Sequence, residues 1–356
     1  MTYQEKIEIR RKLIANPRLD GGEWRNLSKR FGDLYYVSYG RYGIVMSFEA
    51  AGVRRGELIL VPAFLCEDVV YELIAAGFKV EFYHLDVHLN PDLSSFSEKV
   101  AKGVLAVNYF GFPMELDGLR EYCAHHDSVL VEDSSHGFLS TDAFGQQLGA
   151  RGDLGVLNFR KLFPFRNGAA ITVNNQGILS RELGGFKEID YGPLVTCRKG
   201  VKEALRLVLP YVGNPVKVQR AYSSLKKRFS HNDAELLEGD FGNHPYSFDL
   251  PHQPEKPLCE KLGRINFAQE IKRRNELYDF FQERLKEVGG RPVFDRLPNY
   301  VVPYTFPFRC DDGAEGHVRE FLGSYGIVMQ GWPDFHPEAP RIREQYEGVK
   351  FIDFVW

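Results

Sequence analysis

Residues 128–136 read SVLVEDSSH. Ser128 to Val131 is a short apolar run that ends in two carboxylates, Glu132 and Asp133. A run of this length reads as a strand buried on both faces of a parallel sheet. Similar runs lie on either side. Glu57 to Pro62, KVEFYHLD (79–86), VLAVNYF (104–110), LGVLNFR (154–160) and AAITVN (169–174) all have strand character. Helical patterns fall between them: GRYGIVMSFEAAGV (40–53), CEDVVYELIAAG (66–77) and GLREYCAHHD (118–127). Strands alternating with helices predict a wound α/β sheet with helices on both faces. Ligands of such sheets bind beyond the carboxyl ends of the strands. That rule puts Glu132-Asp133, His136 and the Pro62-Ala63-Phe64 stretch in one region, and Lys161 near it.

The second half is less regular. The pattern weakens from about 180 to 255. Then CEKLGRINFAQEIKRRNELYDFFQERLKEV reads as one long amphipathic helix, apolar at Leu262, Ile265, Ile271, Leu277, Phe281 and Leu285. A strand-like VVPYTFPFR, a helix EGHVREFLGSYG and a strand IVMQGW follow, which together predict a smaller α+β domain. The chain of 356 residues exceeds one ordinary core, so two domains are expected, 1–255 and 256–356.

Composition narrows the function classes. Hydrophobic residues are 44% and charged residues 26%, which excludes a disordered chain. The net charge of -3, with no basic block, argues against nucleic acid as a partner. No apolar run reaches the ~20 residues needed to span a bilayer, so no membrane partner is expected. The N-terminal MTYQEKIEIRRKLIANP lacks the apolar centre of a signal peptide. The five cysteines are scattered singly, with no C-x-x-C pair and no thiolate metal pattern. A cytoplasmic protein with reduced thiols and no metal is the expectation.

Three groups of residues could carry chemistry. Asp133 stands at a strand end, and His136 follows three residues later. Such carboxylates either cap the next turn through backbone N–H groups or face a ligand. Ser38-Tyr39-Gly40-Arg41-Tyr42-Gly43 opens a helix, and a glycine turn at a helix start suits a phosphate. Lys161 lies among apolar and aromatic residues in GVLNFRKLFPFRNGAA (155–170). It is either a snorkelling surface group or a desolvated amine available for imine chemistry. Taken in chain order, a phosphate turn, a strand-end Asp and a later Lys are what pyridoxal phosphate requires.

These residues resemble the DegT/DnrJ/EryC1/StrS family of pyridoxal-phosphate sugar aminotransferases. The likeness runs through Ser38 to Ile44, Val61-Pro62-Ala63-Phe64, Asn108 to Pro113, Glu132 to His136, and Gly152-Asp153 through Asn158-Phe159. A fainter likeness continues from Ile271-Lys272-Arg273-Arg274-Asn275 to Gly326-Ile327. The resemblance implies a fold type I, aspartate aminotransferase-like structure. In it a large α/β/α domain with a mostly parallel sheet carries a smaller C-terminal α+β domain. It implies that Asp133 pairs with the pyridine nitrogen and that His136 lies near the ring hydroxyl. Gly40, Arg41 and Tyr42 would surround the phosphate, with Asn158 in place of the family serine.

Five features depart from the family pattern, one being Arg41 after Gly40 where the family has threonine. The usual family lysine position falls on Phe163, whereas Lys161 sits in an Arg-Lys pair that resembles a divergent branch of the family. The ring-stacking aromatic falls on Cys66, which leaves Phe64 or another group for that task. The segment that reaches a partner subunit is not recognisable, Asn243 to Phe248 being its nearest counterpart. The C-terminal end, Phe351 to Trp356, is short for the family.

The implied activity is transamination of a keto sugar, in which Lys161 carries the coenzyme and then moves a proton. The resemblance further implies a nucleotide-linked sugar, a donor such as glutamate, and a homodimer. Rival readings are a dehydratase or lyase on the same fold, and a non-catalytic binding protein. Tyr39, Phe110, Trp332 and the 230–255 loop are candidates to shape the substrate pocket.

Overall fold

The computed structural model describes residues 3–13, 23–163, 165, 167–183, 254, 258–331, 335–340 and 348–354. The domain boundary expected at 255/256, Asn243 to Phe248 and Trp332 lie outside the described residues.

Seven strands form the main sheet: β1 (Asp33–Val37), β2 (Leu58–Pro62), β3 (Lys79–Tyr83), β4 (Gly103–Val107), β5 (Val129–Ser134), β6 (Leu154–Asn158) and β7 (Ala169–Val173). Their order is β1-β7-β6-β5-β4-β2-β3. The pairs from β3 to β6 are parallel, while β7 runs antiparallel to both β6 and β1. β4, β5, β6 and β7 are buried along their whole length, which explains their continuous apolar runs.

Register places the site. Val107 pairs with Asp133, Ser134 with Leu157, and Asn158 with Ala169, which also pairs with Val37. The carboxyl ends of β1, β4, β5 and β6 therefore meet along one edge of the sheet. Helix α3 (Gly40–Ala50) starts from that edge and packs on β5, β6 and β7.

A second sheet has the order β10-β11-β9-β8, from β8 (Gly290–Pro292), β9 (Thr305–Cys310), β10 (Gln330–Gly331) and β11 (Lys350–Asp353). The strand expected over IVMQGW is thus reduced to two described residues. The expected long helix is two: α7 (Leu258–Arg264) and α8 (Phe267–Arg284). Asn266 breaks the run with an extended backbone, and its side chain accepts from the Gln269 N–H at 2.9 Å, which caps α8.

The two adjacent carboxylates of β5 go to opposite faces, as the strand period of two requires. Glu132 is fully buried and structural. Its Oε1 accepts from Arg151 Nε at 2.7 Å and Asn108 Nδ2 at 2.8 Å, and its Oε2 accepts from the Arg151 backbone N–H at 2.8 Å. Arg151 also donates to Asn108 Oδ1 at 2.7 Å and to the Met114 carbonyl at 3.2 Å. This network ties β5 to the loop after β4 and to the segment that leads into β6. Replacing Arg151 by Leu would leave a buried carboxylate without its cation. We expect a loss of about 3–5 kcal/mol in urea unfolding of the full chain.

Candidate functional site

β6 ends at Asn158, and the chain turns at once into a single helical turn, α6 (Phe159–Leu162). Lys161 therefore sits on a one-turn helix and not at a strand end, as the strand reading of LGVLNFR had it. The turn is held at its start by Gly168, whose carbonyl accepts from the Phe159 N–H at 3.0 Å and the Arg160 N–H at 3.3 Å. Arg160 faces outward against the Tyr39 ring, 5.7 Å from its centroid. Lys161 faces inward.

Lys161 Nζ lies 2.9 Å from His136 Nε2. His136 is buried, stacked on Tyr304 with centroids 4.3 Å apart at 14°, and flanked by Phe110 at 6.1 Å. The Phe110 backbone N–H donates to His136 Nδ1 at 3.3 Å. An accepting Nδ1 carries no hydrogen, so the neutral ring holds its hydrogen on Nε2, facing the amine. Nε2–H can then donate to the lone pair of an uncharged Lys161. Burial lowers the pKa of His136 well below the ordinary histidine value, and the charge of Lys161 adds to the effect. Burial likewise lowers Lys161, against the opposing charges of Cys66 and Asp133. Both shifts favour the neutral pair that the hydrogen bonds describe.

Asp133 is buried, and its Oδ1 accepts from the Ser135 N–H at 2.8 Å. Burial raises its pKa, countered in part by Ser135 and by the charge of Lys161. A cation brought to this carboxylate would hold it ionised.

The start of α3 completes the edge. Its N-cap, Tyr39, makes no side-chain cap, and the buried Ser38 hydroxyl just before it has no hydrogen-bond partner. A Cβ on Gly40 would stand 3.1 Å from both Asn158 Nδ2 and Ser135 Oγ, so glycine keeps a small cradle open between α3, β5 and β6. Arg41 donates to Glu72 Oε1 at 3.1 Å and lies between the Tyr39 and Tyr42 rings, 5.0 and 5.1 Å from their centroids. Donor N–H groups, an unsatisfied hydroxyl and a nearby guanidinium fit a phosphate. With Asp133 and Lys161 on the same edge, the donor set fits pyridoxal phosphate.

The sequence-derived residues Gly40, Asp133, His136, Asn158 and Lys161 thus converge, with Arg41 and Tyr42 beside them. Phe64 does not join them. It is fully buried, packed against Tyr109 at 5.2 Å and Phe335 at 5.5 Å, with no ring face left for a ligand. Phe110 is also fully buried and serves His136 rather than a substrate pocket. Its backbone is left-handed (φ 58°), as is that of Gly111 (φ 98°). A Cβ on Gly111 would fall 2.4 Å from the Val302 carbonyl, so this turn needs glycine there. Cys66, at the start of α4 (Glu67–Ala75), is a thiol pushed up to about 11 by burial and by Asp68. Tyr304 escaped sequence reading. No periodicity marks a ring whose role is to stack on a histidine from another part of the chain.

Residues 35–183 match the model of the DegT/DnrJ/EryC1/StrS aminotransferase family. GDP-perosamine synthase of Vibrio cholerae is 25% identical over 152 residues, 41% of each chain. GDP-4-keto-6-deoxy-D-mannose 3-dehydratase of Escherichia coli O55:H7 is 26% identical over 215 residues, 54% of this chain and 55% of that protein. The chain thus spans about half the length of the curated relatives it matches. Among solved structures, Helicobacter pylori PseC, an aminotransferase involved in the biosynthesis of pseudoaminic acid, superposes with a TM-score of 0.61 at 12% identity. It covers 99% of this chain and 91% of PseC. The aminotransferase TlmJ of Streptoalloteichus hindustanus gives 0.57 at 18%, covering 92% and 82%. The fold is that of the fold type I pyridoxal-phosphate enzymes. Among the described residues, no helix is long and apolar enough to cross a membrane.

The neutral, buried state of His136 has a consequence for stability. Its folded pKa lies below the ordinary value of 6.5. Acidification through and below 6.5 protonates the unfolded chain first, so this group's contribution is full above that pH and is lost as pH falls. Urea unfolding between pH 7.5 and 5 should show the wild-type chain losing more stability than His136→Gln, with the two curves converging at the acid end.

Proposed function

We propose that this chain binds pyridoxal 5'-phosphate and transfers an amino group from an amino acid to a keto sugar. The observation that carries the reading is the Lys161 amine, 2.9 Å from His136 and on the same sheet edge as Asp133 and the uncapped start of α3. In this reading Gly40, Arg41, Tyr42 and Asn158 hold the phosphate, and Asp133 holds a proton on the pyridine nitrogen. His136 keeps the ring hydroxyl and the lysine in line. The coenzyme, when bound, supplies an electron sink for negative charge at the substrate carbon. Lys161 has the complementary task. An amine whose pKa is lowered by burial takes a proton from one carbon and returns it to another more readily than an ordinary lysine at neutral pH.

The names of two relatives supply the substrate class. Both the perosamine synthase and the 3-dehydratase are named for GDP-linked sugars, which supports a nucleotide-linked keto sugar here; glutamate is the donor we propose. The 3-dehydratase match, over 54% of this chain, also favours a second reading, loss of water from the same class of sugar. The two differ in their product: one gains an amine, the other loses a hydroxyl.

Borohydride reduction of the chain loaded with pyridoxal phosphate should fix the coenzyme to the peptide containing Lys161, read by mass spectrometry. Lys161→Ala should show no label and turn over at least ~100-fold more slowly. Glutamate should convert the bound coenzyme to its amine form and release 2-oxoglutarate. Label on another lysine would overturn the assignment of Lys161, and absence of label on the wild type would leave the fold with a binding role only.

A further inference from the structure

A fully buried cation near the site is on neither the large sheet nor α6. Arg274, on α8, has no exposed side-chain surface. Its Nε donates to Glu270 Oε1 at 2.7 Å. One terminal nitrogen donates to the carbonyls of Pro303 at 3.1 Å and Tyr304 at 2.8 Å. The other donates to the Leu162 carbonyl at 2.7 Å. Leu162 is the last residue of α6, next to Lys161. Tyr304 is the ring stacked on His136, and Lys161 Nζ also stands 6.0 Å from its centroid.

One guanidinium thus closes the C-terminal end of the turn that carries the amine and fixes the backbone of the ring that supports the imidazole. A helix of one turn cannot hold itself, because forming that turn fixes several residues for a single internal bond. Here a backbone bond from the Phe163 N–H to the Phe159 carbonyl at 2.9 Å closes the turn. Gly168 secures the front of the turn and Arg274 the back. The planar fork matters as much as the charge, since a lysine ammonium cannot reach carbonyls on two separate segments with fixed geometry.

We propose that Arg274 is a positioning residue, which locks the Lys161 turn and Tyr304 together so that the amine and the His136 ring keep their contact. The proposal rests on the reading of Lys161 as the reactive amine. Its neighbour Arg273 is the natural control. Arg273 shares Glu270, bonding its Oε2 at 2.7 Å and its Oε1 at 2.5 Å, but otherwise donates to the carbonyls of Lys12 and Phe354, away from the site.

The test uses the full chain without coenzyme, so failure to bind pyridoxal phosphate would leave it intact. With lysine labelled in carbon and nitrogen, the Lys161 signal is assigned by its loss in Lys161→Arg and titrated by NMR. The titratable groups facing it, Cys66, Asp133, Asp68, Arg160 and His136, are unchanged by either substitution. Arg274→Lys should admit water to the turn and raise the Lys161 midpoint by about one unit, a tenfold change in its proton equilibrium. Arg273→Lys should lower the melting temperature yet leave that midpoint in place. Should Arg274→Lys fail to fold, Glu270→Gln, which slackens the fork without removing it, should raise the midpoint by a smaller amount. An unchanged midpoint in the Arg274 or Glu270 variant, or an equal shift in Arg273→Lys, would overturn the proposal.

Discussion

The site depends on one imidazole held from two sides. His136 receives the Phe110 N–H at Nδ1 and meets the Lys161 amine at Nε2. Each contact fixes the other, because a ring nitrogen that accepts on one side leaves its hydrogen for the opposite side. The arrangement has a conformational cost. Phe110 adopts a left-handed backbone, which disfavours a residue with a Cβ by about 1–2 kcal/mol. The strain is offset locally. The Phe110 carbonyl accepts from the Tyr304 N–H at 2.8 Å, and its ring is completely buried. A strained turn that aims an amide at a histidine nitrogen makes sense where the tautomer matters.

Two buried ion pairs support this centre, and they work in the same manner. Glu132 with Arg151 anchors the segments around β5 and β6, and Glu270 with Arg274 anchors α6 and the segment leading into β9. Burial pushes the Glu270 carboxyl up, but Arg274 and Arg273 outweigh it and hold it below the ordinary range. Buried pairs contribute little net stability over apolar residues of similar shape. What they add here is direction. Arg274 directs its remaining donors to backbone carbonyls of separate segments, and Arg151 to the Met114 carbonyl and the Asn108 side chain, which an apolar side chain cannot bind.

The large sheet was legible because its strands are buried on both faces and read as continuous apolar runs. That the start of α3, Asp133 and His136 share one edge was legible because register and strand ends follow from that sheet. Lys161 was expected near that edge, where the structure has it, but was assigned to the wrong local structure. Phe159 and Arg160 continue the apolar-aromatic pattern of β6, and nothing local announces that the ladder stops at Asn158. The stop comes from Gly168, ten residues on, whose carbonyl takes the first two amides of the turn. The merged α7 and α8 have a similar cause. Apolar spacing carries through Ile265, while the break lies in the extended backbone and side-chain cap of Asn266. Phe64 was misplaced because residues at a strand end can turn either toward the ligand or back into the core, and here Tyr109 and Phe335 close over it.

The family match ends at residue 183, yet the site does not. Tyr304 and Arg274 come from the C-terminal part, and without them His136 loses its stacking partner and α6 loses its C-terminal cap. A chain reduced to the matched segment would keep every residue that the motifs name and still lack the contacts that orient two of them. The motifs mark where charge and nucleophile stand in the sequence. Their mutual geometry is set by a guanidinium more than a hundred residues away, through carbonyls that carry no sequence signature at all.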